Sequence, residues 1–96
     1  MTVVVHKVLD PRELIINLVA AKLSKDLALI TDSTTLAGDL GADSLDITDV
    51  EMAIEEQVTD SEGKPISLKG MEFTAKTTVG DLVNFCRKAV GYDESH

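Results

Sequence analysis

One serine, Ser44, lies where a side-chain hydroxyl could be both exposed and chemically useful. It follows a glycine-bearing loop and opens a segment whose apolar spacing predicts a helix. The N-terminus of a helix presents free backbone N–H groups and positive dipole character, and both favour a phosphate group. Serine is also a preferred helix cap, which would occupy its hydroxyl with the backbone. Because Asp43 is an equally good cap, the Ser44 hydroxyl could instead be available for another task.

Negative charge is concentrated around and after this serine. The 96-residue chain has 17 acidic and 9 basic side chains, which gives a net charge of −8. Nine acids lie in a stretch that contains no Lys or Arg: Asp39, Asp43, Asp46, Asp49, Glu51, Glu55, Glu56, Asp60 and Glu62. Such a stretch is typical of a solvated helix face, or of a docking surface that steers basic partners. It argues against a nucleic-acid partner, because like charges repel.

The residue types that usually perform catalysis or bind metals are poorly placed. His6 and His96 lie near the termini, where order is least expected, and no His/Cys cluster has zinc-ligand spacing. The acidic loops lack the spacing of a calcium loop. Cys86 is the single cysteine, so no internal disulfide can form, and its apolar setting predicts an inert core thiol. We therefore expect neither enzyme activity nor a metal site.

Three amphipathic segments must position the serine. Their apolar residues recur at helical spacing and predict helices at about 11–27, 44–58 and 79–90. Asp10 and Glu13 are expected to form a capping box around Pro11 at the start of the first helix. The predicted buried stripes are Ile15, Leu18, Val19, Leu23 and Leu27; Ile47, Val50, Ala53, Ile54 and Val58; and Val79, Leu82, Val83, Cys86 and Val90.

The connections between these helices are of two kinds. Residues 28–42 form a long loop that three apolar side chains, Ile30, Leu36 and Leu40, are expected to pin to the bundle. Residues 59–77 begin with a turn-like stretch, and we predict one helical turn or an irregular packed segment.

These elements predict a single all-α domain over residues 1–96. It is expected to be a small antiparallel four-helix bundle with three main helices and a short or irregular third segment. The valine-rich stretch 1–9 is predicted to be an irregular leader and 91–96 a tail. The apolar runs are too short to insert into a membrane, and no signal segment opens the chain, so a cytoplasmic location is expected.

The stretch LGADSLDITDVEMAIEEQV resembles the signature of acyl carrier proteins, in which a D-S-L motif opens the second helix. The resemblance extends to helix one, the long loop and TTVGDLVNF at the start of the last helix. It implies that Ser44 is esterified by the 4′-phosphopantetheine arm of coenzyme A, whose thiol holds acyl groups as thioesters. It therefore implies a non-enzymatic carrier for the enzymes of fatty-acid biosynthesis or of a specialised lipid or polyketide pathway.

The same resemblance implies two kinds of partner for a carrier that we expect to be monomeric. One is a phosphopantetheinyl transferase, which attaches the arm. The others are acyl synthases and transferases that dock through basic patches. The positions that match the family's recognition face are Asp43, Leu45, Asp46, Asp49, Met52, Glu55 and Glu56. Leu45 and Met52 would be apolar contacts inside the acidic ring, unless they are ordinary core residues.

Some positions depart from the family pattern. Glu51 occupies a usually apolar position, which suggests an exposed turn in helix two. Segment 59–77 is longer than is typical, and Lys64, Lys69 and Lys76 balance its three acids where an acidic helix is usual. These departures favour a specialised carrier with its own partners.

Two other functions remain open at the level of sequence. A peptidyl or aminoacyl carrier more often has a Gly-His pair before the serine, and Ala42-Asp43 argues against it. An unmodified acidic interaction module would have the same charge pattern but would carry no prosthetic arm.

Overall fold

The computed structural model describes residues 9–92, and within this range the regular structure is helical. The helices are α1 (Arg12–Leu23), α2 (Ser44–Gln57) and α3 (Val79–Val90), with a 3₁₀ turn at Leu27–Leu29. The all-α prediction with three main helices is confirmed. The valine-rich leader, the tail, His6 and His96 fall outside the described residues, except for residues 9, 91 and 92.

Helix α1 ends four residues earlier than the apolar spacing predicts. Ser24 adopts a left-handed conformation, with φ 54° and ψ 45°, and the Lys25 N–H donates to the Ala20 carbonyl at 2.9 Å. This arrangement closes the last turn of a helix. The predicted inclusion of Leu27 in the buried stripe is therefore wrong, because Leu27 begins the 3₁₀ turn and is 47% exposed.

The predicted capping box at the start of α1 is also wrong. Asp10 Oδ1 accepts a hydrogen bond from the Arg12 N–H at 3.1 Å, but the helix starts without the reciprocal contact from Glu13. The carboxylate of Asp10 also binds Arg87, near the end of α3, at 2.7 and 2.9 Å. The Asp10 carboxylate thus joins two distant parts of the chain and does not form the predicted local capping box.

Helix α3 agrees with its sequence prediction at both ends. The Thr78 hydroxyl accepts from the Asp81 N–H and the Asp81 carboxylate accepts from the Thr78 N–H, each at 3.0 Å. The helix exits through Gly91, which has a φ of 82°. Helix α2 ends at Gln57, one residue before the predicted end.

The core forms where α1 packs against both α2 and α3. The predicted stripes of α2 and α3 are buried, apart from the half-buried Ile47, and Ile15, Leu18 and Val19 of α1 are buried with them. Cys86 has no exposed surface, and burial raises the pKa of its thiol to about 12. Since the thiolate is the reactive form, the prediction of an inert core thiol is confirmed.

The long loop before α2 is fixed to the start of α3. Ile30, Leu36 and Leu40 are buried, as predicted. Backbone bonds join the segments, among them those from the Leu36 N–H to the Thr77 carbonyl at 3.1 Å and from the Val79 N–H to the Thr34 carbonyl at 2.8 Å.

Gly80 extends this backbone junction. Its N–H donates to the Asp32 carbonyl at 2.9 Å, and a Cβ at Gly80 would lie 2.8 Å from that oxygen. A side chain larger than hydrogen therefore cannot be accommodated unless the loop shifts.

The segment between α2 and α3 is irregular but packed, as predicted. It begins as a tight reversal in which the Asp60 N–H donates to the Lys64 carbonyl at 2.8 Å and Gly63 adopts a φ of 80°. Beyond the reversal, Ile66 and Leu68 are buried in the core. The apolar side chains of the segment thus help to hold it in place without a helix.

Candidate functional site

Ser44 is the first residue of α2, and its side chain is exposed. Its hydroxyl makes no hydrogen bond to any other residue in the 9–92 range. The backbone N–H groups of Ser44 and Leu45 likewise have no acceptor within that range. An exposed hydroxyl beside two free amides at the positive end of a helix is a favourable setting for a phosphodiester.

The cap of α2 is supplied by Asp43, which leaves the serine hydroxyl available. Asp43 Oδ1 accepts from the Asp46 N–H at 2.9 Å, and Asp46 Oδ2 accepts from the Asp43 N–H at 3.1 Å. This reciprocal pair is a capping box that starts one residue before the serine. The alternative in which Ser44 itself caps the helix is therefore excluded.

A second reciprocal pair shapes the loop that leads to Ser44. The Thr35 N–H donates to Asp39 Oδ2 at 2.9 Å, and the Asp39 N–H donates to Thr35 Oγ1 at 2.8 Å. Gly41 then turns the chain with a φ of 68°, in the left-handed region that favours glycine. The charge pattern alone does not indicate this role of Asp39, although a Thr and an Asp four residues apart are a local signal for such a turn.

The outer face of α2 combines apolar and acidic side chains. Leu45 is 75% exposed and Met52 is 54% exposed, so neither is a core residue. They are seven residues apart, which puts them on one side of the helix, and Asp49 lies between them. Of the other expected docking acids, Asp43 and Glu56 are exposed, whereas Asp46 and Glu55 are half-buried. We call Leu45, Asp49, Met52 and Glu56 the α2 face.

Glu55 differs from its neighbours because its carboxylate binds the protein itself. Glu55 Oε2 accepts a hydrogen bond from the Leu68 N–H at 2.7 Å, and Leu68 is 1% exposed. The side chain thus anchors the irregular segment to α2. No sequence pattern predicts this contact, since the two residues belong to different elements.

Glu51 does not create the exposed turn that its acidic character suggested. It is half-buried, and burial, together with the nearby charge of Glu55, raises the pKa of its carboxyl group. Ionisation of Glu51 in the folded protein therefore costs more free energy than ionisation of an exposed acid would.

Comparison with known proteins places these features in a family. A family model described as "Phosphopantetheine attachment site" matches residues 13–86. The acyl carrier protein of Thermotoga maritima is 34% identical over 75 residues, covering 78% of this chain and 85% of that protein. The acyl carrier proteins of Rickettsia typhi and Rickettsia prowazekii are each 36% identical over 74 residues, covering 77% of this chain and 79% of each relative. The chain belongs to the acyl carrier protein family.

Family membership identifies the chain as a non-enzymatic carrier with a covalently bound 4′-phosphopantetheine. The residues at the start of α2 fit that group, because they supply an exposed hydroxyl and two amide donors for a phosphodiester. Within the part of the chain that the structure describes, no cluster of His, Cys, Asp and Glu could hold a metal ion. No helix in this part is long and apolar enough to cross a bilayer.

Proposed function

We propose that this acyl carrier protein carries acyl groups on an arm joined to Ser44 Oγ and delivers them to biosynthetic enzymes of a lipid or polyketide pathway. The observation that supports Ser44 is its exposed hydroxyl in the first turn of α2, next to a cap that Asp43 provides. When bound, the arm supplies a thiol that holds the acyl group as a thioester. A tether of this kind raises the effective concentration of the acyl group at each enzyme.

The start of α2 can accommodate the charge of a phosphodiester despite two neighbouring carboxylates. Asp43 and Asp46 each accept a backbone N–H, so part of their charge is directed at the helix end. The amides of Ser44 and Leu45 remain available to phosphate oxygens. These donors and the helix dipole favour the anionic group at this position.

The α2 face supports recognition of enzymes with basic patches, including the phosphopantetheinyl transferase that attaches the arm. Asp49 and Glu56 are exposed, and charges of this kind accelerate encounter more than they strengthen the complex. Leu45 and Met52 add apolar contacts, and methionine adapts to differently shaped partners. Fast, weak and salt-sensitive binding suits a carrier that must release each enzyme in turn.

Mass spectrometry tests the attachment residue directly. The protein is incubated with coenzyme A, Mg²⁺ and a broad-specificity phosphopantetheinyl transferase. We expect the mass of one phosphopantetheine to be added to the wild type and to a Ser67→Ala control, in which another exposed serine is removed. Ser44→Ala should gain nothing. Modification of the Ser44→Ala variant would overturn the assignment, and an unmodified wild type would favour an interaction module without an arm.

A further inference from the structure

The hydrogen bond between Glu55 and Leu68 brings a lysine to the edge of the α2 face. Lys69 follows Leu68 directly and is exposed. From the 2.7 Å bond and standard backbone dimensions, its Cα lies within about 8 Å of Glu55 Oε2. The extended side chain of lysine can span most of that distance. The backbone of Lys69 therefore lies beside Glu55, which is the residue before Glu56 and a surface neighbour of Met52, three residues earlier on α2.

Lys69 is available for an external partner. The ion pairs of the 9–92 range are Arg12–Asp32, Lys64–Glu62 and Arg87–Asp10, and Lys69 is in none of them. Its backbone is fixed, because Leu68 is buried on one side and the Lys69 N–H donates to Ser67 Oγ at 3.3 Å. The backbone of this exposed lysine is thus held beside α2, and no acid of the 9–92 range forms an ion pair with it.

Glu55 contributes less to this surface than Glu56 does, because it is half-buried and bonded to the protein. Its carboxylate binds a backbone amide, so Glu56 is the acid exposed at this end of α2. The surface is consequently acidic from Asp43 to Asp49 and carries both signs near Glu56 and Lys69. A partner with basic groups alone would meet repulsion at Lys69.

We propose that Lys69 is a specificity-determining part of the docking surface. This surface fits acyl-handling enzymes that present a carboxylate to Lys69 beside the cation that pairs with Glu56. This inference rests on the proposed carrier function. Glu55 acts in it as a positioning residue, because it holds the chain that carries Lys69. Charge complementarity of this kind selects among partners and suppresses wrong ones.

The test uses the holo-protein and a condensing enzyme from the same organism, with kcat/KM measured for the acyl-loaded carrier. Lys69→Glu should lower kcat/KM by about tenfold, mainly through a higher KM. Lys69→Arg should keep the wild-type value, and Lys69→Met should lie between them. Lys76→Glu makes the same charge change at an exposed position in the same segment and should stay within about twofold.

The outcomes distinguish the proposed carrier function from the inference about Lys69. Phosphopantetheine loading, measured by mass, is checked first for every variant, so failed loading of the wild type would count against the carrier function. If loading is normal and Lys69→Glu stays within about twofold of the wild type, the inference about Lys69 is wrong. An equal loss in Lys76→Glu would also overturn it, because net charge and not position would then be responsible. A full loss in Lys69→Arg would do the same.

Discussion

The guanidinium group of Arg87 binds both carboxylate oxygens of Asp10, although the two residues are 77 positions apart. The Nη2–Oδ2 and Nε–Oδ1 distances are 2.7 and 2.9 Å, and both side chains are largely shielded from solvent. The ring of Tyr92 lies 5.7 Å from the same guanidinium group. This contact joins the start of α1 to the end of α3, and a two-point bond of this type is stronger than a neutral hydrogen bond.

We expect Asp10→Asn to lower the free energy of unfolding by about 1–2 kcal/mol near neutral pH. The hydrogen bond to Arg87 lowers the pKa of Asp10 below its ordinary value of 3.8. The stabilisation is therefore present above about pH 4 and is lost as the pH falls through the lower, folded-state pKa. Urea denaturation at several pH values should show the difference between wild type and variant shrinking below pH 4.

Asp32→Asn is the matched control for this prediction. It removes the Arg12–Asp32 pair, which has a similar distance of 2.8 Å but is more exposed. Exposed pairs contribute about 0–1 kcal/mol, so its effect should be smaller. If Asp32→Asn costs as much as Asp10→Asn, shielding does not explain the strength of the Asp10–Arg87 contact.

The second prediction separates two adjacent acids of α2. Glu55→Ala leaves the Leu68 N–H without its acceptor and should destabilise the fold by about 1–3 kcal/mol. Glu56→Ala, which removes an exposed acid, should change stability by no more than about 0.5 kcal/mol. Amide hydrogen exchange at Leu68, followed by NMR, should accelerate only in the Glu55 variant. Unchanged protection of that amide would show that the bond is not formed in solution.

The third prediction concerns the orientation of α2. Ile54 has no exposed surface and should cost about 2–5 kcal/mol when changed to alanine, as large-to-small core substitutions do. Leu45, on the same helix, is 75% exposed, and Leu45→Ala should be nearly neutral for stability. The same Leu45 variant should weaken partner binding. Chemical denaturation measures the effect on stability, and a binding assay measures the effect on docking. Equal destabilisation by both substitutions would be incompatible with this orientation of the helix.

The sequence predicts elements best where several local signals agree. For α3, the Thr78–Asp81 capping box, the apolar spacing and Gly91 all indicate the same boundaries, and the helix is found at Val79–Val90. The end of α1 was mispredicted because Leu27 continues the apolar spacing, although the polar residues before it end the helix. Local hydrogen bonds determine where the helix ends, and one of them runs from the Ala28 N–H to Asp26 at 3.0 Å.

Part of the candidate site could also be predicted, because local signals agree around Ser44. Asp43, Ser44 and Asp46 lie within four consecutive positions, so their relationship at a helix start can be deduced from residue types and spacing. The roles of Glu55 and Lys69 depend on how an irregular segment folds back onto α2, as the bond to Leu68 shows. Contacts of this kind between different elements leave no periodic pattern in a single sequence.

The last prediction follows from the half-buried acid of α2. Burial and the charge of Glu55 raise the pKa of Glu51, so the folded state holds this proton to a higher pH than the unfolded state does. Stability attributable to this group is therefore greatest at low pH and falls as the pH rises through the raised pKa. Glu51→Gln should accordingly raise the melting temperature near neutral pH and have little effect in acid. Glu56→Gln, an exposed acid on the same helix, should show no such pH-dependent gain, and a gain of equal size there would point to net charge instead of burial.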